Sequence, residues 1–362
     1  MKTIQTKYGK EIKIFTDNIE QTAYDQIKAL GDFEAYKDSK IRIMPDVHAG
    51  AGCTIGTTLT ITDKITPNLV GVDIGCGMSV SNFDRNIPLN ELDKYIKNNI
   101  PHGFNVRSEE NKSFDFSDLK CKDHVDLVRA NKSIGTLGGG NHFIELCNSD
   151  DGYYLVLHSG SRGIGNQVAR YYQNLAIEKN KPKTQLEKSL AYLTGSDFDD
   201  YVNDIKIIQD YASYNRGKMI TDIALEFDCK PLFLFETIHN YLDLDTMILR
   251  KGAVSAQDNE TLIIPLNMRD GSLICIGKGN EDWNYSAPHG AGRVMSRSKA
   301  KQNIDLDEFK NQMKGIYSSS VGQSTLDEAP DAYKPMSDII GNIEDTVDII
   351  QHITPIYNFK SH

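Results

Sequence analysis

The chain has 362 residues, with 40 basic and 50 acidic side chains and a net charge of -10, which excludes a protein coated in positive charge for nonspecific nucleic-acid binding. No run approaches the apolar length of a membrane span, and charges interrupt MKTIQTKYGKEIKIF where a secretory signal has its apolar centre, so a soluble cytoplasmic protein with no membrane partner is expected. The six scattered cysteines include no C-x-x-C pair and are expected to be reduced.

Strand-like runs come first. KIRIM (40–44), TTLTIT (57–62), NHFIEL (141–146) and YYLVLHSG (153–160) each end at polar or glycine residues. Apolar residues at spacings of three and four then predict helices over 166–180, 185–193, 197–228 and 232–243. Strands return at TLIIPL (261–266) and SLICIG (272–277), and further helices are expected at 305–314 and near 337–350. No repeat, low-complexity tract or linker marks a boundary. Segregated strands and helices predict an α+β fold, a single compact domain over residues 1–362 with mixed β-sheets and a helical middle section.

Several histidines sit at strand ends or in glycine-rich turns. His142 follows GTLGGGN, His158 closes YYLVL, and His289 lies in WNYSAPHGAGR among very small neighbours that leave its imidazole open to something large. His239, in LFLFETIHNYL, reads by itself as a core histidine of a buried helix. Asp73 and Cys76 lie three apart in NLVGVDIGCGMSV, among glycines that permit a tight turn aiming both side chains one way. A carboxylate, a thiol and several imidazoles are the stock of a divalent-metal site, although the Asp-x-x-Cys spacing taken singly favours a buried structural Cys76. The turns GTLGGGN, HSGSRGIGNQVA and HGAGR offer backbone N–H groups to an anion; GSRGIG lacks the G-x-G-x-x-G dinucleotide spacing. Arg162, Arg216, Arg250, Lys251, Arg293 and Arg297 lie near glycine-rich turns and are candidates for a local basic cleft.

The ordered set MPDVHAGAGCTIG, GVDIGCGM, GTLGGGNHFIEL, LHSGSRGIGNQVA, DYASYNR, IHN, RKGA, HGAGRVMSR and EAPDAYK resembles the RtcB family of GTP-dependent RNA ligases from about residue 40 onward. The resemblance implies a two-metal Mn2+ enzyme that joins an RNA 3′-phosphate or 2′,3′-cyclic phosphate to a 5′-hydroxyl end, in RNA repair or tRNA splicing, with GTP as energy source and scope for an accessory activator. It implies Asp73, Cys76, His142, His158 and His239 as metal ligands, with Cys76 bridging the two ions, and so replaces the core reading of His239. His289 would accept GMP. Asn141, Glu145, Asn240, Ser272, Gly290, Ala291, Gly292, Tyr333 and Lys360 would contact the guanylate. Where the family commonly carries PGSMG, this chain reads Pro265-Leu266-Asn267-Met268-Arg269-Asp270-Gly271-Ser272. That difference motivates an alternative, a metal-dependent cyclic-phosphate phosphoesterase that does not use GTP.

Overall fold

The computed structural model describes residues 1–50 and 52–361; Ala51, inside MPDVHAGAGCTIG, lies outside the described residues. The chain opens with β1 (Lys2–Gln5), β2 (Glu11–Ile14), α1 (Gln21–Gly31), β3 (Ile41–His48) and β4 (Ile55–Thr60). Next come β5 (Lys64–Ile65), α2 (Pro67–Val70), β6 (Gly77–Phe83), α3 (Leu89–Asn99), α4 (Leu127–Ser133), β7 (Phe143–Ser149) and β8 (Gly152–Ser159). The helical middle comprises α5 (Arg162–Asn180), α6 (Gln185–Ser189), the short β9 (Leu193–Thr194) and α7 (Gly195–Glu226). Strands β10 (Pro231–Ile238), β11 (Asn240–Asp243), β12 (Ile248–Lys251), β13 (Ala253–Ser255), β14 (Thr261–Asn267), β15 (Gly271–Gly277) and β16 (Ser286–Pro288) follow. The chain finishes with α8 (Arg297–Asn303), α9 (Leu306–Gln312), α10 (Met336–Ile343) and β17 (Val347–Lys360). This is the expected α+β organisation, and no helix among the described residues is long and apolar enough to cross a membrane.

Two sheets dominate, a six-stranded one that is mixed through the parallel β2–β3 pair and a seven-stranded one that is antiparallel throughout. One runs β1-β2-β3-β4-β12-β11 and the other β10-β6-β8-β7-β17-β15-β14. Helix α7 packs against β6 and β8 of the second sheet and β11 of the first. Its buried residues, among them Tyr201, Ile205, Ile208, Ala212, Met219 and Ile223, recur at helical spacing, so one helix serves cores on both sides.

Three expectations change. Residues 232–243 form β10 and β11 instead of a helix: Leu234, Phe235 and Glu236 pair with Ser81, Val80 and Ser79 of β6. The run LFLF fits a helical stripe and a strand equally well in sequence, and the distant partner strand decides between them. The expected helix near 337–350 stops at Ile343, and Val347 begins β17, which carries the chain between β15 and β7. Residues 185–193 are helical only as far as Ser189, and Leu193 pairs with Ile65 in a two-stranded ladder. Helices α1, α3 and α4 lie in the part of the chain that reads as strands and turns.

The connection from α3 to α4 is long and largely irregular, and α7 anchors it. Fully buried Asp204 accepts the N–H groups of Lys120 (2.7 Å) and Cys121 (3.0 Å) and the hydroxyl of Tyr172 (2.8 Å). Asp204→Ala strands these donors in the interior. Urea unfolding is expected to show a loss of about 3 to 5 kcal/mol; a loss below about 1 kcal/mol would mean that water replaces the carboxylate.

Candidate metal centre and nucleotide cleft

The turn after α2 holds Asp73 and Cys76. Gly75 at φ 74 makes this bend without strain, and a Cβ there would come within 2.9 Å of the α7 backbone at Gln209. His142 enters from the glycine turn before β7, His158 from the end of β8, and His239 from the break between β10 and β11. Their donor atoms form two groups, Asp73–Cys76–His142 and Cys76–His158–His239, each with atoms within 4.8 Å of one another. Cys76 belongs to both. Its Sγ lies 3.5 Å from His142 Nε2 and 3.3 Å from His158 Nε2, and His142 Nε2 is 3.2 Å from Asp73 Oδ2.

The far sides of two rings are fixed by backbone carbonyls. His142 Nδ1 meets Leu137 O at 2.9 Å, and His158 Nδ1 meets Asn141 O at 3.2 Å, so each ring presents Nε2 to the cluster. His239 Nδ1 is buried without a hydrogen-bond partner among the described residues. An orphaned imidazole nitrogen in a residue grouped with a thiol and a second imidazole fits divalent-metal ligation better than packing alone.

Electrostatics agree. Burial pushes His158 and His239 well below the usual imidazole range, reinforced in each by other nearby histidines, so both are neutral and have a lone pair to give. Burial raises the Asp73 carboxyl, but the hydrogen bond and charge of His142, with the Arg162 guanidinium, outweigh it and hold the group at about 2. The Asp73 carboxylate also accepts the Ser161 N–H at 3.0 Å, in the turn where Arg162 takes a left-handed φ of 57. Burial and the Asp73 carboxylate push the Cys76 thiol well up; a cation is what would make it a thiolate.

His289 stands beside the cluster at the end of β16, its ring centroid 5.0 Å from that of His239. Fully buried Asp46 of β3 takes its Nδ1 at 2.6 Å and its backbone N–H at 3.1 Å through one oxygen, Oδ2. Nε2 is thereby the free nitrogen. The MPDVH stretch is conspicuous in sequence, but a carboxylate over 240 positions from its histidine gives no local signal of its role.

A cleft opens in front of His289. It is lined by His158, His239, His289, Asn141, Glu145, Gly290, Ala291, Gly292, Tyr333 and Lys360, together with Arg293, Arg297 and Phe143, the last of which has no assigned role in the sequence reading. Lys360 Nζ sits 4.7 Å from the centroid of the Phe143 ring and 2.8 Å from Glu328, which also takes the Tyr333 hydroxyl (2.7 Å) and an ion pair from Arg297 (2.8 Å). Glu145 accepts from Asn358, and burial pushes its carboxyl up to about 7 against the pull of Lys360. Asn240 and Ser272 do not line the cleft. Asn240 accepts the Gly252 N–H at 3.1 Å, and its carbonyl takes the Gly75 N–H at 2.7 Å, bracing the Cys76 turn, while Ser272 is buried in β15.

Of the basic candidates, Arg293 and Arg297 face the cleft, while Arg216 and Arg250 are fully buried inside the fold. Arg216 NH1 donates to Gly75 O (2.8 Å) and Ser159 O (2.9 Å), tying the Cys76 turn to the end of the His158 strand. Its other face pairs with Glu236 of β10 at 3.2 Å.

The RtcB family profile, described as tRNA-splicing ligase RtcB, matches residues 34–126 and 105–361. The chain belongs to the RtcB family. It is 34% identical over 366 residues to the RNA-splicing ligase RtcB of Escherichia coli K12, covering 88% of this chain and 90% of that protein. It is 28% identical over 395 residues to the tRNA-splicing ligase RtcB of Aeropyrum pernix, covering 81% of each.

Two measurements test this architecture. Arg216→Lys keeps the charge but loses the fork, and urea melts are expected to show about 2 to 4 kcal/mol less stability; wild-type stability would make the fork dispensable. Glu328 is desolvated, yet Lys360 and Arg297 hold its carboxyl at about 2, below its ordinary 4.5. Its contribution is therefore complete above about pH 4.5 and lost as the pH falls toward 2. Glu328→Gln should flatten the stability slope over that acid range while lowering stability at pH 7; an unchanged acid slope would contradict it.

Proposed function

We propose that the protein is an RNA ligase that uses GTP and Mn2+ to join RNA ends bearing a 3′-phosphate or 2′,3′-cyclic phosphate to 5′-hydroxyl ends, in cytoplasmic RNA repair or tRNA splicing. The observation that carries this reading is the juxtaposition of His289, with Nδ1 fixed by Asp46, and a five-residue donor set sharing Cys76. Asp73, Cys76, His142, His158 and His239 would hold two divalent ions, which would neutralise phosphate charge when bound.

The protein's own groups supply the rest. With Nδ1 directed to Asp46, His289 Nε2 keeps its lone pair toward the cleft and attacks the α-phosphorus of GTP. The Nε2–P bond forms, pyrophosphate leaves, and Asp46 stabilises the charge that develops on the ring. GMP then passes from His289 to the RNA 3′-phosphate, and the 5′-hydroxyl oxygen displaces it to form the phosphodiester. A cyclic phosphate requires prior hydrolysis to a 3′-phosphate. Tyr333, Lys360, Glu145 and Asn141 line the space for the nucleotide, and the small Gly290, Ala291 and Gly292 leave room for it.

The chain's departure at 265–272 does not favour the phosphoesterase alternative. Pro265 O accepts the Ala291 N–H at 3.0 Å, so that segment still supports the HGAGR turn.

Incubation with Mn2+ and α-labelled GTP is expected to label the wild type, and His289→Ala to lose at least about a hundredfold of that label. Gly292→Val should also block labelling, since at φ 73 a Cβ would sit 2.9 Å from Asp46 O. Retained label in His289→Ala would exclude it as the acceptor. Cyclic-phosphate hydrolysis by the wild type with no GMP adduct would revive the alternative.

A further inference from the structure

The irregular connection between α3 and α4 carries a feature outside the proposed catalytic machinery. Phe104 is 95% exposed, against 45% for Phe233 and 43% for Tyr317, the next most exposed large aromatics among the described residues. A phenyl ring so fully in water forgoes the burial that ordinarily positions phenylalanine.

Its backbone is held firmly. Gly103 N–H donates to Gly138 O at 2.8 Å and to Ser361 Oγ at 3.0 Å, and Gly103 O accepts from Arg162 at 3.2 Å. Phe104 O accepts from Arg129 at 2.8 Å. Gly138 and Gly139 belong to the turn that delivers Asn141 to the cleft and His142 to the metal cluster, and a Cβ on Gly139 would meet Gly103 Cα at 3.6 Å. The exposed ring therefore projects from a backbone tied to the active-site turn.

Positive charge flanks it. Arg129 is exposed and makes no ion pair among the described residues, and Arg162 reaches the same loop from the Asp73 side. Arg107, three residues on, is partly neutralised by Asp222 at 3.2 Å. An open aromatic face beside arginine, next to a phosphate-handling centre, suits an unpaired nucleobase, because every base has a stacking face and the backbone phosphates meet the guanidinium.

We propose that Phe104 is a stacking platform for a nucleobase of the RNA strand entering the active site, with Arg129 holding an adjacent phosphate. The proposal rests on the RNA-ligase reading for its substrate. It concerns RNA binding alone and requires no guanylylation.

Fluorescence anisotropy of a labelled single-stranded RNA of about ten nucleotides, one version ending in a 3′-phosphate and one beginning with a 5′-hydroxyl, tests it. Phe104→Ala is expected to weaken binding of at least one version about five- to hundredfold, with Phe104→Trp restoring it. Arg129→Gln should reduce the salt dependence of that same binding. The ring has almost no packing to lose, so the melting temperature of Phe104→Ala should match that of the wild type and exclude misfolding as the cause.

Equal affinity of wild type and Phe104→Ala for both RNAs would overturn the proposal, as would failure of the wild type to bind either. A change in oligomeric state with unchanged RNA affinity would assign the ring to self-association and likewise overturn it. Loss of binding in Phe104→Ala, in a wild type that neither takes label from GTP nor joins RNA, would sink the ligase reading and leave the stacking assignment standing.

Discussion

The candidate active site depends on two adjacent residues of one helix. Asn215 and Arg216 of α7 are both fully buried, and between them they bind the segments that deliver Asp73, Cys76, His142 and His158. Asn215 accepts the Gly135 and Thr136 N–H groups at 2.8 and 3.1 Å and donates to Thr136 O at 3.1 Å, holding the segment that leads to His142. Arg216 joins the Cys76 turn to the His158 strand and reaches Glu236 at the far edge. A buried guanidinium is costly unless its donors are met, so each carbonyl that satisfies Arg216 is itself held in place.

Around that anchor the polar groups are divided between two environments. The donor cluster is deeply buried, where neutral imidazoles are favoured and a thiolate needs a cation. His289 lies one ring further out, with its side chain 20% exposed and its Nδ1 occupied by a fully buried carboxylate. Its position lets one imidazole face a large cleft occupant while its neighbours stay sequestered. Three cleft-lining residues from separate parts of the chain, Lys360, Tyr333 and Arg297, are held by one buried carboxylate, Glu328.

Much of this was legible in sequence, for physical reasons that differ by element. Strands β7, β8, β14 and β15 show in short apolar runs bounded by turn residues, and α5 and α7 in long helical periodicity. Asp73, Cys76, His142 and His158 stand out because unusual residues cluster with glycines at bends, where a backbone must turn sharply to aim a side chain, whereas His239 has no such local signal and enters only through the family resemblance. β10 reads as helix in the sequence because LFLFETIHNY satisfies both periodicities, and the start of β17 does so because its apolar residues continue the helical pattern of α10. Neither ambiguity is resolvable without the partner strand.

By itself the sequence determined the α+β class, the family resemblance and the chemical stock of the site, since composition, local periodicity and ordered motifs are properties of the chain. Only the tertiary structure decided that Asp46 orients His289, that Arg216 is a buried brace and not a cleft residue, that Asn240 supports the Cys76 turn, and that Phe104 is left in water beside the active-site turn. Each of those depends on a contact between distant positions or on the absence of one, and side-chain burial and hydrogen-bond partners are set when the sheets and α7 come together.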